Sequence, residues 1–134
     1  MKNLIIASFI LIGSLAAAQN KVTVEITGLD NDNGIVMIGL YNSKQTFLKT
    51  SFKGTSTTVK DNKAIITFNN IPNGEYAVGF YHDANSNGKM DSYFFGLPKE
   101  SYGASNNAKV FMGTPKYDDA KFFLNQDKVL KINN

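Results

Sequence analysis

Apolar and polar residues alternate along much of the chain, and this pattern predicts β-strands. The segment Lys21–Leu29 places Val22, Val24 and Ile26 on one face and polar side chains on the other, which is typical of a half-buried strand. The segment Ile35–Tyr41 is apolar on both faces. We therefore expect it to be a central strand that is covered on both sides.

The same alternation recurs further along the chain. We expect strands at Lys63–Asn69 and Glu75–His82, followed near the end by a hairpin of Ala120–Leu124 and Lys128–Ile132. Residues 54–57 are expected to be a loop, and residues 70–74 a turn, because they are rich in Gly, Ser, Thr, Asn and Pro. The predicted core residues are Val22, Val24, Ile26, Val36, Ile38, Ile66, Phe68, Tyr76, Val78, Phe80 and Phe122.

Together these elements predict an all-β fold. About seven strands and no long helical period indicate a single antiparallel Greek-key β-sandwich, immunoglobulin- or transthyretin-like. Residues 42–58 are the least decided; there Phe47, Leu48 and Phe52 are expected to cap one end of the core. Residues 92–116 show no lasting period, and a loop of that length in a compact domain is often functional.

The first 18 residues have the order of a secretory signal peptide. Lys2 gives a short positive region, residues 4–15 are largely apolar, and Ala16–Ala18 is a small-residue cleavage site. The apolar run is short for a membrane-spanning helix, so we expect cleavage after Ala18 and no span afterwards. Residues 19–134 would then be one β-sandwich domain that is secreted or periplasmic.

The amino-acid composition of the chain excludes several classes of function. The chain contains no cysteine, which excludes disulfides, thiol catalysis and iron–sulfur chemistry. All of its cationic side chains are lysines, and the formal net charge is only +3. Because arginine is the residue that reads phosphate and guanine through two hydrogen bonds, we expect no nucleic-acid partner.

The stretch His82–Asp91 carries the strongest chemical signal. It places oxygen-bearing side chains at alternate positions, turns on a glycine and ends on a carboxylate. This matches the start of the D-x-[DN]-x-[DN]-G calcium loop, in which the seventh residue offers its backbone carbonyl. The expected metal ligands are Asp83, Asn85, Asn87, Lys89 and Asp91.

Two observations keep an ordinary turn open as the alternative. Phe94 stands where the calcium loop normally has a bidentate glutamate, and only Glu100 or water is at hand to replace it. Asp, Asn, Ser and Gly also dominate plain turns, because their side chains bond nearby backbone or accept positive φ. Zinc and copper are disfavoured because they prefer sulfur or imidazole ligands.

We expect no catalytic activity. The single histidine, His82, lies beside Asp83, and neighbours on a strand point to opposite faces, so this carboxylate is badly placed to orient the imidazole. We interpret His82 as a strand-end residue that bonds nearby backbone.

A second hypothesis is a carbohydrate- or peptide-binding domain whose partner is a cell-surface glycan or protein. Its contact platform would be Tyr93, Phe94, Phe95 and Tyr102. The alternative is that these aromatic rings fill the open end of the sandwich core.

Several blocks along the mature chain carry a family resemblance. They are Gly34–Val36, Leu40–Tyr41, Gly74–Val78, His82–Asp91, Gly96–Glu100, Tyr102–Asn106 and Asp119–Phe122. In this order they resemble a family of secreted bacterial proteins catalogued only as a domain of unknown function. The resemblance implies an exported single β-sandwich with no established activity or ligand. Ala104 departs from the family, which more often carries an aromatic residue there, and this weakens a binding role at that position.

The spacing D-x-N-x-N-G-x-x-D resembles, more widely, the calcium loops of bacterial surface repeats and cellulosome dockerins. Carried over, this resemblance implies that Ca²⁺ is bound by the side chains of Asp83, Asn85, Asn87 and Asp91 and by the carbonyl of Lys89.

Overall fold

The structure, a computed structural model, describes residues 19–84, 102–108 and 114–134. The strands in these ranges are β1 (Gln19–Thr27), β2 (Ile35–Tyr41), β3 (Lys53–Thr58), β4 (Ala64–Pro72), β5 (Gly74–Asp83), β6 (Tyr102–Ala104), β7 (Phe122–Leu124) and β8 (Lys128–Asn133). The helical elements described are a 3-10 turn at Ser105–Asn107 and the four-residue helix α1 at Tyr117–Ala120. No helix in the described ranges has the length and apolar character needed to span a membrane.

The strands form two sheets. One has the order β4-β1-β8, and the other has the order β3-β2-β5-β6, with β7 pairing with the start of β5. The expectation of an all-β, two-sheet architecture is confirmed. A wholly antiparallel arrangement is wrong, because β8 runs parallel to β1 from Val22↔Lys128 to Thr27↔Asn133.

The predicted hairpin of the last two strands is also wrong. β7 pairs with β5 in one sheet, whereas β8 pairs with β1 in the other, so the turn at residues 125–127 crosses between the sheets. Both segments bury alternate residues: Phe122 and Leu124 in β7, Leu130 and Ile132 in β8. Alternation therefore identified both strands, although Ala120 lies in α1 and not in β7, but it carried no information about the partner of each strand.

The core lies between the two sheets and is filled by alternate residues of the long strands. Ten of the eleven predicted core residues are buried there, and Ile66 is partly buried against them. Val22, Val24 and Ile26 are fully buried, which confirms the predicted inner face of β1. Since each buried aliphatic side chain contributes about 1.5–3 kcal/mol, this alternation sets which way each strand faces.

One expected loop is a strand, and the expected turn at residues 70–74 is reduced to Asn73, which lies between β4 and β5. Residues 54–57 lie within β3, which pairs with β2 and is exposed on nearly every residue. As an edge strand with no buried face, β3 has no apolar alternation to reveal it. β4 continues through Ile71 to Pro72, past a register shift opposite Asn20; Pro is tolerated there because β4 is an edge strand.

A smaller cluster covers the other face of the five-stranded sheet. Its buried members are Phe47, Ala77, Ala104, Ala108, Tyr117 and Ala120. Ser105, fully buried, joins this cluster to the sheet: its Oγ accepts a hydrogen bond from the Val78 amide at 2.9 Å and donates one to the Ala120 carbonyl at 2.5 Å. The predicted role of Phe47, Leu48 and Phe52 in capping the core is wrong: Phe47 is buried in this second cluster, and Leu48 and Phe52 are exposed.

The hydroxyl of Tyr117 donates a 2.9 Å hydrogen bond to the Glu75 carboxylate. Burial, together with this hydrogen bond and the negative charge of Glu75, raises the pKa of Tyr117 to about 12. The folded state therefore holds this proton more tightly than the unfolded chain does. The resulting stabilisation is complete below pH 10 and is lost as the pH rises toward 12.

Replacing this tyrosine tests that linkage. Tyr117→Phe removes one hydrogen bond to a charged, solvent-exposed partner, so we expect the free energy of unfolding to fall by about 1 kcal/mol at neutral pH. The difference from the wild type should stay constant up to pH 10 and then shrink toward pH 12. Denaturant melts of the variant and the wild type across this pH range measure the difference. A difference that is flat with pH would contradict the linkage.

Candidate functional site

The candidate site lies at the end of β5, where the chain leaves the sheet toward the predicted calcium loop. The last pairs with β2 are Val36↔His82 and Ile35↔Asp83. Both β5 residues are buried, His82 at 2% exposure and Asp83 at 0%. The first expected metal ligand is thus held by the sheet itself.

His82 performs the role predicted for it. Its Nε2 lies 2.5 Å from the carbonyl oxygen of Asn33, in the β1–β2 turn. A carbonyl can only accept, so the ring nitrogen donates this bond. His82 follows Val78 and Phe80 on the core face of β5, and alternation places Asp83 on the opposite face.

Gly34 in the same turn packs directly against the end of β5. Its φ of +66° lies in the left-handed region, and a Cβ built on it would lie 2.0 Å from the Asp83 carbonyl oxygen and 2.7 Å from the Ala84 carbonyl carbon. No other residue fits such an approach. Gly34 therefore allows the backbone of Asp83 and Ala84 to lie directly against the β1–β2 turn, just before the predicted loop.

The β1–β2 turn is itself anchored. The Asp32 carboxylate accepts backbone hydrogen bonds from Asp61 at 3.0 Å and Asn62 at 2.7 Å, and the Leu29 amide donates to the Asn62 carbonyl. The Asn33 amide bonds the side chain of Asn31. These contacts hold rigid the turn that contacts His82 and Asp83.

Of the expected metal ligands, Asp83 is the one that the described residues include. Asn85, Asn87, Lys89, Asp91 and the alternative ligand Glu100 lie outside them. Within residues 19–84, 102–108 and 114–134, no three His, Asp or Glu side chains come together as a metal-binding group. The predicted calcium loop therefore stays a prediction.

The predicted aromatic platform also falls largely outside the described residues, which omit Tyr93, Phe94 and Phe95. Tyr102 is half-buried in β6, where it pairs with Tyr81 of β5. It lines a cavity of about 210 Å³ whose floor includes the core residues Phe80 and Ile132.

Comparison with known proteins places this domain in a family. A family model described as an uncharacterized protein conserved in bacteria, DUF2141, matches residues 24–133. The chain belongs to the DUF2141 family. The match runs from within β1 to the end of β8, so the family domain is the two-sheet unit described above. No curated protein and no solved structure matched the chain.

Sequence reasoning on this DUF2141 protein missed two positioning residues. Nothing in the sequence around Gly34 indicates that the end of β5 packs against this residue. Ser105 showed no signal, because its role depends on carbonyl and amide groups brought to it from β5 and α1. The Asn-Gly pair at residues 33–34 was the one local hint of a tight backbone approach.

Substitution of Gly34 tests the close approach. Gly34→Ala should lower the free energy of unfolding by at least about 2 kcal/mol, because it adds left-handed strain to a clash with β5 backbone. Gly54→Ala is the matched control: on this exposed strand the tightest contact of the added Cβ would be the Ser51 hydroxyl, at 3.0 Å, and its other contacts would be at ordinary van der Waals distance. That variant should stay within about 0.5 kcal/mol of the wild type in denaturant melts. Equal effects at both positions would contradict the account.

Proposed function

We propose that this DUF2141 protein is an exported, non-catalytic β-sandwich module that is stabilised by Ca²⁺ in the loop Asp83–Asp91. The observation that carries the proposal is the D-x-N-x-N-G-x-x-D spacing that begins at Asp83. Carboxylate, amide and carbonyl oxygens are the ligands that Ca²⁺ prefers, and this spacing lets a short peptide wrap one ion.

The setting of Asp83 supports this proposal. The residue is fully buried at the end of β5, next to a turn that Asp32 and Gly34 hold in place. A ligand fixed in this way has less freedom to lose when an ion binds, which favours binding. An ion held there would connect the start of the loop to the β2–β5 pair.

The charge of the loop limits the affinity that we expect. Asp83 and Asp91 are its two carboxylates, and Glu100 is the candidate third. Sites with few charged ligands resemble the weak sites of extracellular modules, so we expect a Kd on the order of 10⁻⁴ M. Such an affinity suits a compartment in which calcium is plentiful.

Export is the second part of the proposal. The order of charge, apolar run and small residues in residues 1–18 supports cleavage after Ala18. β1 pairs from Gln19↔Pro72 onward, so this cleavage would leave every described pair of β1 intact. The role that we propose for the exported domain is structural.

Thermal melts in chelator and in calcium test the calcium part. For a Kd on the order of 10⁻⁴ M, about 2 mM Ca²⁺ should add about 1.8 kcal/mol to the free energy of unfolding. This corresponds to a rise in Tm of several degrees, roughly 4–8 °C, for a domain of this size. Mg²⁺ should do much less, because it gives up its water reluctantly and demands a tighter octahedron.

The matched variants are Asp91→Asn and Asp61→Asn. Both remove one charge at nearly constant size, but Asp61 is exposed in the β3–β4 turn at φ +53°, which Asn tolerates. Asp91→Asn should remove most of the calcium increment, and Asp61→Asn should keep it. Asp83→Ala is less informative because Asp83 is buried. Superimposed wild-type melts with and without Ca²⁺ would reduce the loop to an ordinary turn.

A further inference from the structure

The outer face of the five-stranded sheet contains a groove that neither the loop nor the core explains. It has a volume of about 290 Å³ and lies over β3, β2 and β5. Its floor includes Gly39, which pairs with Gly54 on one side and with Gly79 on the other. One wall of the groove is the neighbouring row of paired residues, in which Met37 of β2 lies between Ser56 of β3 and Tyr81 of β5.

The aromatic ring of Tyr41 forms the opposite wall. A Cβ on Gly39 would lie 2.8–2.9 Å from the Tyr41 ring and hydroxyl, so the glycine lets the ring lie close to the sheet. Phe47 holds the ring edge-on, with centroids 5.3 Å apart, and Phe47 in turn contacts Tyr117 at 5.6 Å. The ring is therefore positioned before any ligand arrives, which reduces the entropy lost on binding.

The two phenols of the groove lie near each other. Burial, and to a lesser extent the neighbouring Tyr81, raises the pKa of Tyr41. Tyr41 and Tyr81 are both half-buried, so each presents part of its ring and its polar end to the groove. The arrangement offers two aromatic surfaces with hydroxyl groups at their margins.

The chemistry of the lining points to an uncharged, hydroxyl-rich ligand. The described lining residues include five hydroxyl groups and no charged side chain. Lys53 precedes the lining residue Gly54, but its ammonium group donates to the Asn69 carbonyl, across the gap toward β4. A charged ligand would find no counter-charge here, whereas the C–H faces of a sugar can pack on tyrosine rings and its hydroxyls can bond to Ser, Thr and Tyr.

We propose that the groove between Tyr41 and the Ser56–Met37–Tyr81 row binds a pyranose unit of an uncharged glycan. Its volume suits one sugar ring and part of a neighbour, at the small end of ligand pockets. This proposal goes beyond the calcium module and uses none of the expected calcium ligands. The two can therefore fail independently.

Titration with neutral hexasaccharides tests the proposal. The probes are cellohexaose, xylohexaose, laminarihexaose and chitohexaose, and the readouts are calorimetry and backbone amide chemical shifts. At least one probe should bind saturably with a Kd in the millimolar range or tighter. The largest shifts should fall on Gly39, Gly54 and Ser56, and the affinity should be equal in chelator and in Ca²⁺.

Two variants should weaken this binding. Tyr81→Ala removes one aromatic surface. Ser56→Lys places a long charged side chain in the groove, and it should not prevent folding because Ser56 is exposed on β3. Each should raise the Kd about tenfold or more. Ile65→Lys adds the same charge at an exposed position, 57% accessible, on the outer face of the other sheet and should leave the Kd unchanged.

Three outcomes would overturn the proposal. The first is that none of the four sugars binds saturably. The second is that the shifts map to another surface, or that Ser56→Lys leaves the affinity unchanged. The third is that a Ser- and Thr-rich decapeptide binds in the groove and none of the four sugars does. That result would make the groove a binding site for extended peptides.

Discussion

The antiparallel pairing of β2 with β5 is the interaction on which the rest of the structure depends. It runs without interruption from Ile35↔Asp83 to Tyr41↔Ala77 in the middle of the larger sheet. Its inner face supplies Val36, Ile38 and Val78 to the core. Since β3, β6 and β7 pair with one or other of these two strands, a slip of one residue would turn every inner side chain outward.

Each proposed activity uses a different part of this pair. Its end holds Asp83 at the start of the loop for which we propose calcium binding, and Gly34 and the Asn33–His82 contact support this end. Its outer face supplies the glycine floor and the tyrosine walls of the groove. A rigid sheet scaffold commonly positions the loops and surfaces that carry function.

Much of this fold could be predicted from the sequence, for a physical reason. β1, β2 and β5 each bury one face or both, so a two-residue period or an apolar run marks them. β3 has no buried face and left no such mark. The parallel pairing of β8 with β1 was missed because alternation shows which face is buried and not which strand lies beside it.

The expected ligands of the candidate site form a local sequence pattern, whereas the contacts that support Asp83 do not. The spacing of oxygens from Asp83 onward is a local pattern and can be read directly. The contact between Asn33 and His82 joins residues 49 positions apart, and the fit of Gly34 against Asp83 is equally non-local. Such packing appears only when the strands are in register. The glycine-floored groove depends on the same register across three strands.

Amide hydrogen exchange of the wild-type protein, in chelator and in millimolar Ca²⁺, tests most directly whether the β2–β5 end and the loop form one unit. If an ion at Asp83 stabilises the sandwich through its contact with Gly34, exchange at Gly34, His82 and Ala84 should slow on calcium addition. The slowing there should exceed that in β8. Identical exchange at these three amides in both conditions would contradict the account.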